Sequence, residues 1–261
     1  HRVDRRQRQM CIRDSPYTPH SGDRRYGVLH YDLAIDYRVT TNRLAGIATI
    51  RLRMQETAKH VSFDLVGLKA TKVRVSGDRA ASFRQDDRRL KVAFGGERES
   101  GQELTVTIEY SGAPSPRRTR WGLLGWEELE DGVLVASQPT GAPTWFPCND
   151  IPSDKATYRL EFTADPEYTV VSGGAATRST QRGRTRWTFD QPVPTATYLM
   201  TVQLGQYDDD RVELGATPGR LFHPRALAPR VRSDFAALPQ MMETFVAVSY
   251  THLTLPTIYS V

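Results

Sequence analysis

The fold is decided near the start of the chain, where residues 31–52 read YDLAIDYRVTTNRLAGIATIRL. Apolar side chains recur at every second position from Tyr31 to Val39, which is the pattern of a β-strand with one buried face. A turn-like pair, Thr41-Asn42, follows, and a second apolar run then covers Ile47–Leu52. The stretch predicts two short strands separated by a turn.

The same period of two continues as far as Tyr207. Gly, Asp, Asn and Pro clusters separate the apolar runs, and no strand–helix–strand alternation appears, so a doubly wound α/β fold is not expected. About ten short strands of this kind predict an all-β fold, a saddle-like antiparallel β-sandwich. The further runs begin at Val61, Val73, Leu90, Leu104, Val133, Tyr158, Tyr168, Trp187 and Tyr198.

The pattern changes after Tyr207. An acidic run, Asp208–Asp210, and a stretch rich in Gly, Pro and Arg lead to apolar residues at helical spacing between Val231 and Val246. Ser233 is a candidate N-cap, and Pro239 is expected to bend or restart the helix. We therefore predict a β-domain over 16–207, followed over 208–247 by a linker and the first helix of another, truncated domain.

Both ends of the chain differ from its middle. Met10–Ser15 resembles the translation of a transposon-derived sequencing adaptor, and Val248–Leu253 resembles the reverse complement of that adaptor in another frame. Complementary matches at two ends are expected when a DNA fragment is cloned between adaptors and translated through. We therefore predict that residues 1–15 and 248–261 are adaptor translation and exclude them from the fold argument.

The composition excludes several classes of protein. The 261 residues are 39% hydrophobic and 25% charged, which is ordinary globular usage and not that of a disordered chain. Two cysteines cannot build a disulfide scaffold or a four-cysteine zinc site. No apolar run approaches the roughly 20 residues of a membrane-spanning helix.

The positive charge suggests nucleic-acid binding only at first sight. The net charge is +5 and the isoelectric point is near 9.3. Residues 1–15 hold five Arg and two Asp, so three of those five charges lie in the predicted adaptor. The remaining charge of about +2 is unremarkable for a globular domain, and nucleic-acid binding stays only an alternative.

The residues that most often perform catalysis are scattered. His20, His30, His60 and His223 are widely separated and form no H-x-x-x-H pair, and Cys148 has no neighbouring His to act as a base. The acidic cluster Glu127, Glu128, Glu130 and Asp131 could bind a cation, but a solvated loop is the expected role. We therefore predict no catalytic residue and no metal ligand in this chain, and a packing role for Cys148.

One segment is unusual. Residues 138–158 read QPTGAPTWFPCNDIPSDKATY, and three prolines and a glycine between 139 and 147 predict an ordered loop between strands. Polar Gln138 ends the apolar run from Val133 to Ala136, so it could lie at a rim that faces a ligand. Alternatively, the whole segment is a rigid crossover in which Asp150 holds a turn.

This segment resembles the M1 family of zinc aminopeptidases, particularly the actinobacterial type. Other stretches are similar to the family in the same order, namely 31–33, 63–68, 110–112, 168–171, 196–199 and 205–207. The resemblance implies an all-β saddle as N-terminal domain and places at Gln138 the Glu or Gln that this domain contributes to substrate binding. Its carbonyl oxygen would accept a hydrogen bond from the α-ammonium group of a peptide.

The resemblance also implies what is missing. In the family, a G-x-M-E-N loop binds the substrate, and an H-E-x-x-H helix together with a later Glu binds zinc. The Glu of the helix motif acts as general base, and a Tyr stabilises the oxyanion. None of these motifs occurs in this sequence. The expected parent is a Zn²⁺-dependent aminopeptidase that removes N-terminal residues from peptides, whereas this chain is expected to bind no zinc and to be inactive.

The expected partners are a peptide with a free N-terminus and a catalytic domain in cis, with neither nucleic acid nor membrane. A single cysteine outside the predicted adaptors agrees with a cytoplasmic location. The alternative is a non-catalytic β-sandwich binding module in which Trp121, Trp126 and Trp145 form a ligand platform.

Overall fold

A computed structural model describes residue 18 and residues 20–249, together with the backbone of residues 257–260. The predicted N-terminal adaptor, 1–15, lies outside the described residues. Within the described part of the chain there are eighteen strands and two short α-helices, so the all-β prediction is confirmed.

A seven-stranded sheet organises the domain. Its strand order is β13-β14-β11-β1-β2-β7-β4, and every neighbouring pair is antiparallel except β1 and β11, which run parallel. The predicted antiparallel sandwich therefore contains one parallel pair, which joins residues separated by more than a hundred positions. Its strands are β1 Tyr26–Arg38, β2 Arg43–Met54, β4 Lys69–Val75, β7 Glu103–Gly112, β11 Lys155–Ala164, β13 Ala175–Gln181 and β14 Arg184–Ala196.

A five-stranded sheet with the order β12-β15-β10-β9-β8 forms a second layer. Its strands are β8 Arg117–Thr119, β9 Gly122–Leu129, β10 Gly132–Ala136, β12 Thr169–Ser172 and β15 Val202–Gly205. The run from Tyr198, predicted as one strand, is divided, because residues 197–199 form a 3₁₀ turn before β15.

A smaller sheet, ordered β3-β6-β5, closes another side of the core. It consists of β3 Ala58–Asp64, β5 Ser82–Gln85 and β6 Arg89–Arg98. Aromatic side chains join the layers: the Tyr37 and Trp126 rings meet edge to face at 4.9 Å, and the Tyr26 and Phe63 rings lie 5.3 Å apart. One continuous hydrophobic core results.

The stretch predicted as a linker is structured. β16 Tyr207–Leu214 and β17 Thr217–Pro224 form an antiparallel hairpin, because both strands pair fully along their backbones. β18 Thr257–Ser260, inside the predicted C-terminal adaptor, lies parallel to β17.

Two helices follow the hairpin: α1 Ala228–Asp234 and α2 Leu238–Ser249. Pro239 lies at the start of α2, as expected of a proline that restarts a helix, whereas Ser233 lies inside α1 and is not its N-cap. No helix among the described residues is long and apolar enough to cross a lipid bilayer.

Candidate functional site

Gln138 lies at the end of β10, where the chain leaves the five-stranded sheet for β11 of the seven-stranded sheet. Its side chain is exposed, whereas Ser137 and all residues from 139 to 150 are buried. No residue in the described part of the chain hydrogen-bonds the Gln138 amide group. The crossover loop, defined as residues 137–150, thus presents a single solvated polar side chain.

The first half of the crossover loop is fixed to β9. The Thr144 hydroxyl accepts a hydrogen bond from the Trp126 backbone N–H at 2.9 Å and donates one to the Gly141 carbonyl at 2.7 Å. Gly125 has a φ of +103°, and a Cβ there would lie 2.2 Å from the Thr144 hydroxyl oxygen. Only glycine allows the loop to pack this closely on the strand.

The second half of the loop is fixed to β3 and β7. The backbones of Cys148 and Asp64 exchange two hydrogen bonds, at 2.7 and 3.0 Å, in an isolated β-bridge. The Tyr110 hydroxyl on β7 donates to the Trp145 carbonyl at 3.1 Å. These contacts satisfy backbone groups that a buried loop would otherwise leave unpaired.

Asn149 connects the loop to the beginning of the domain. Its side-chain carbonyl accepts from the Asp23 N–H at 2.7 Å, and its amide nitrogen donates to Asp154 at 2.6 Å and to the Tyr26 carbonyl at 3.3 Å. Asp23 and Tyr26 come from the beginning of the domain, so the asparagine holds the start of β1 against the loop.

Two carboxyl groups beside the loop, those of Asp64 and Asp150, are buried, and that of Asp154 is half-buried. Burial raises the pKa of Asp150 to about 7 and that of Asp154 to about 6, and it also raises the pKa of Asp64. The Thr197 hydroxyl donates to Asp150 at 2.7 Å, and the Arg117 guanidinium opposes the rise for Asp150 and Asp64. The Asp64 and Asp150 carboxyls are enclosed and support the loop, since Asp64 accepts from the Asp150 N–H and Asp150 accepts from the Thr197 hydroxyl.

The sequence reasoning had missed this carboxyl cluster. Asp64 lies in the FDLVGL stretch and Asp154 in the PSDKA stretch, both of which carried the family resemblance. The signal was a set of aspartates beside apolar runs, but the pairing of Asp64 with the loop is a tertiary contact. The prediction that Asp150 holds a turn is correct in part, since its carboxylate binds the 3₁₀ turn at Thr197.

The proposed tryptophan platform is wrong for two of its three members. Trp126 and Trp145 are fully buried in the core, whereas Trp121 is 39% exposed. Apolar rings at the junction of the sheets are needed for packing, so two of these rings cannot stack on a ligand.

The remaining candidates do not form a reactive site. Cys148 is buried, and burial raises the pKa of its thiol, which keeps it protonated. His30, His60 and His223 lie on three different strands. Within the described ranges no three His, Cys, Asp or Glu side chains converge as metal ligands, and the acidic residues 127, 128, 130 and 131 are exposed.

The exposed Gln138 side chain can therefore form hydrogen bonds with a ligand. Among the described residues at this site, no nucleophilic side chain lies beside a base. An amide held on a rigid base offers one carbonyl acceptor and two N–H donors at fixed positions. Rigid support matters because a binding group must be placed within a fraction of an ångström to be effective.

Comparison with known proteins identifies the domain. The family model of the peptidase M1 N-terminal domain matches residues 28–199. A leucyl aminopeptidase of Saccharolobus solfataricus is 28% identical over 191 residues, which is 71% of this chain and 23% of that protein. Human glutamyl aminopeptidase is 28% identical over 198 residues, which is 69% of this chain and 20% of that protein. The chain thus spans between a fifth and a quarter of the length of these relatives.

Solved structures share the fold. A crystal structure of an M1 zinc metallopeptidase from Deinococcus radiodurans superposes with a TM-score of 0.75 at 21% identity, covering 93% of this chain and 57% of that one. A mutant bound to a Tyr-Ser-Ala substrate gives a TM-score of 0.72 at 24% identity, covering 79% of this chain and 50% of that one. The family match covers most of the β-domain, and the strands follow the fold of these structures, so the chain belongs to the peptidase M1 N-terminal domain family.

Proposed function

We propose that the chain is the substrate-facing N-terminal portion of a zinc-dependent aminopeptidase, and that Gln138 accepts a hydrogen bond from the α-ammonium group of the peptide. One observation carries this proposal: Gln138 is the exposed residue of a loop that is otherwise buried from 137 to 150. A polar side chain exposed on so rigid a base is suited to fixing a ligand and adds nothing to the core.

The chemistry of Gln138 fits a free amine. An α-ammonium group has three donors and no acceptor, so the Gln138 carbonyl oxygen is a suitable partner. A neutral amide gives less Coulombic attraction than a carboxylate would, so Gln138 serves mainly to set position and leaves charge neutralisation to other groups.

Zinc belongs to another part of the proposed parent. The described residues offer no ligand set for a metal ion, since no three potential ligands converge. No catalytic step is therefore assigned to this chain, and the catalytic domain in cis would supply the cleavage chemistry. Cys148, buried and without a disulfide partner among the described residues, agrees with a reducing compartment such as the cytoplasm.

The source DNA beyond codon 247 tests the proposal directly. We expect the codons for G-x-M-E-N and then H-E-x-x-H in the same frame. Their absence over the next few hundred codons would contradict the aminopeptidase assignment. The purified 261-residue chain should leave an aminoacyl anilide uncleaved, and chelator-sensitive cleavage by it would show that this chain is itself catalytic.

The role of Gln138 is tested in the extended protein. Loss of one hydrogen bond to a charged group costs about 1.5–3 kcal/mol, so Gln138→Ala should lower kcat/KM for aminoacyl anilides by about 10- to 150-fold. Gln102→Ala, which alters an exposed glutamine of the same domain, is the matched control. Inhibitors with a free amine should lose affinity and their N-acetyl analogues should not; equal losses for both would refute the assigned contact.

A further inference from the structure

The two edges of the seven-stranded sheet differ in how they are protected. At one edge, β4 pairs with β7 through a register shift between Ala70 and Lys72. The Gln85 side chain of β5 covers this edge, because it accepts from the Ala70 N–H at 2.8 Å and donates to the Leu68 carbonyl at 2.7 Å. Irregular pairing and a covering group are ordinary ways in which proteins keep a strand edge from pairing with another chain.

The opposite edge, β13, is regular and uncovered. It pairs with β14 along its whole length without a register shift. Its sequence, AATRSTQ, contains no proline and a single charged residue, and residues 175–180 are all exposed. The guanidinium of that charged residue, Arg178, lies 5.4 Å from the centre of the Trp187 ring on β14, so it is directed back over the sheet. Such an edge is open to pairing with a further strand.

The turn after β13 fixes which backbone groups point outward. It consists of two residues, Arg182-Gly183, which both have positive φ, at 51° and 74°. In such a hairpin the residues that flank the turn form a hydrogen-bonded pair, and hydrogen-bonded pairs alternate along the two strands. The backbone N–H and C=O groups that point away from β14 are therefore those of Ala176, Arg178 and Thr180.

These outward groups have no backbone partner in the part of the chain that the structure describes. β14 is the neighbour of β13 on one side, and no described strand lies on the other. In a monomer the outward groups are left to solvent, whereas an added strand would bind them through main-chain hydrogen bonds.

The β13 edge is complementary to a second copy of itself. In an antiparallel pair, outward-pointing residues of the two strands exchange both of their hydrogen bonds, so a twofold axis satisfies both edges at once. An axis at Thr177 sets Ala176 opposite Arg178 of the second copy. An axis at Ser179 sets Arg178 opposite Thr180 of the second copy. Either register keeps the two copies of Arg178 from lying directly opposite each other, where like charges are destabilising.

An unrelated peptide suits this edge less well than a second copy. Peptide recognition by strand addition takes its specificity from pockets beside the edge that hold alternate side chains. Most side chains of β13 are short Ala, Thr and Ser groups exposed to solvent, so they offer a peptide little beyond the backbone. The same short side chains allow two copies of the strand to approach each other without steric hindrance.

We propose that β13 pairs with β13 of a second copy of this chain, antiparallel about a twofold axis at Thr177 or Ser179, so that two seven-stranded sheets become continuous. An interface made by one pair of strands is smaller than the roughly 1,200 Å² of a stable complex, so the dimer should be weak and depend on concentration. The proposal is independent of the aminopeptidase function, because it uses no residue of the candidate site.

Cysteine cross-linking of the 261-residue chain tests the pairing and its register. The variants T177C and S179C are made in a C11S background, in which the remaining cysteine, Cys148, is buried. A residue on the twofold axis lies about 4.5 Å from its own copy, measured between Cα atoms, and a disulfide can span that distance. At least one of the two variants should therefore form a disulfide-linked dimer on mild oxidation. The control T71C, which makes the same change at an exposed residue of the other edge strand, β4, should not.

Sedimentation velocity measures the strength of the pairing. The 29.4 kDa chain should show a monomer–dimer equilibrium that shifts toward dimer as its concentration rises. A176P removes an outward N–H from each copy and leaves the hydrogen bonds to β14 in place, so it should weaken dimerisation at least about ten-fold. A113P, the same substitution in the exposed loop after β7, should leave dimerisation unchanged. Circular dichroism confirms that both variants are folded.

Three results would overturn the proposal: a chain that stays monomeric up to about 1 mM, cross-linking of T71C as readily as of T177C and S179C, or equal dimerisation of A176P and A113P. The cross-linking result stands even where A176P does not fold. Because no turnover is measured, these results are separate from the test on the downstream codons.

Discussion

Two threonine hydroxyls make the same pair of hydrogen bonds in two neighbouring regions of this domain. Thr144 in the crossover loop and Thr119 in the β8–β9 hairpin, whose turn is Arg120-Trp121, each accept from a tryptophan N–H and donate to a glycine carbonyl. Thr144 is fully buried and its loop is fixed on β3, β7 and β9, whereas the turn of the hairpin is exposed to solvent. The same pair of hydrogen bonds thus supports a buried loop in one place and a turn at the surface in the other.

This contrast distinguishes a region that stabilises the fold from a region that is exposed to solvent. The crossover loop is decisive for the fold, because its polar groups are enclosed and have no water to replace a lost partner. The turn of the β8–β9 hairpin at Arg120 and Trp121 is exposed, so water can replace a polar partner that is lost there. Gln138 is part of the rigid crossover loop, but its side chain is exposed to solvent. This combination makes it the candidate binding residue.

The largest difference between the two regions should appear in the free energy of unfolding when a tryptophan is removed from each. Trp145→Ala should reduce the free energy of unfolding by about 3–5 kcal/mol, because it opens a cavity in the core. Trp121→Ala should change it by less than about 0.5 kcal/mol, as expected for a surface position. Urea denaturation of both variants measures this, and similar losses would show that the turn is part of the core.

The second-largest difference between the regions should be in how their stability depends on pH, because a buried carboxyl group supports the crossover loop. Because the pKa of Asp150 is about 7 when folded, its unfolded form loses a proton between about pH 4 and 7 while the folded form keeps it. Stability from this group therefore falls as pH rises through that window. The Asp150→Asn variant should gain stability relative to the wild type between pH 4 and 8, by on the order of 4 kcal/mol, since the pKa rises from 3.8 to about 7.

The control for this pH effect is Asp87→Asn, which changes an exposed aspartate outside the carboxyl cluster. Urea titrations of both variants and of the wild type over this pH range measure the effect. A difference between Asp150→Asn and the wild type that does not change with pH would contradict the raised pKa of Asp150.

The smallest expected difference in stability is between variants of the two threonines. Thr144→Val should cost about 1–3 kcal/mol, because the Trp126 N–H and the Gly141 carbonyl are left buried without this partner. Thr119→Val should cost less than about 1 kcal/mol, because water can replace the hydroxyl. Thermal and urea unfolding of the two variants under identical conditions give the comparison, and equal costs would contradict the assigned difference in burial.

Much of the fold could be predicted from local pattern. The alternation over residues 31–52 gives β1 and β2, and the prolines of 139–147 give a loop that is ordered and irregular. The hairpin of β16 and β17 was predicted as linker because only Leu214 of the eight residues of β16 is buried. Such a strand carries no alternation of apolar and polar residues, so the period of two is absent.

The sequence by itself determined that this chain is built from strands, that Cys148 is a packing residue, and that 138–158 resembles a known family. Only the tertiary structure decided that β1 lies beside β11, that Trp126 and Trp145 are in the core while Trp121 is at the surface, and that Asp64 supports the crossover loop. The physical reason is the distance along the chain over which each property is determined. The period of a strand is set by neighbouring residues, whereas burial and pairing depend on which distant segments meet.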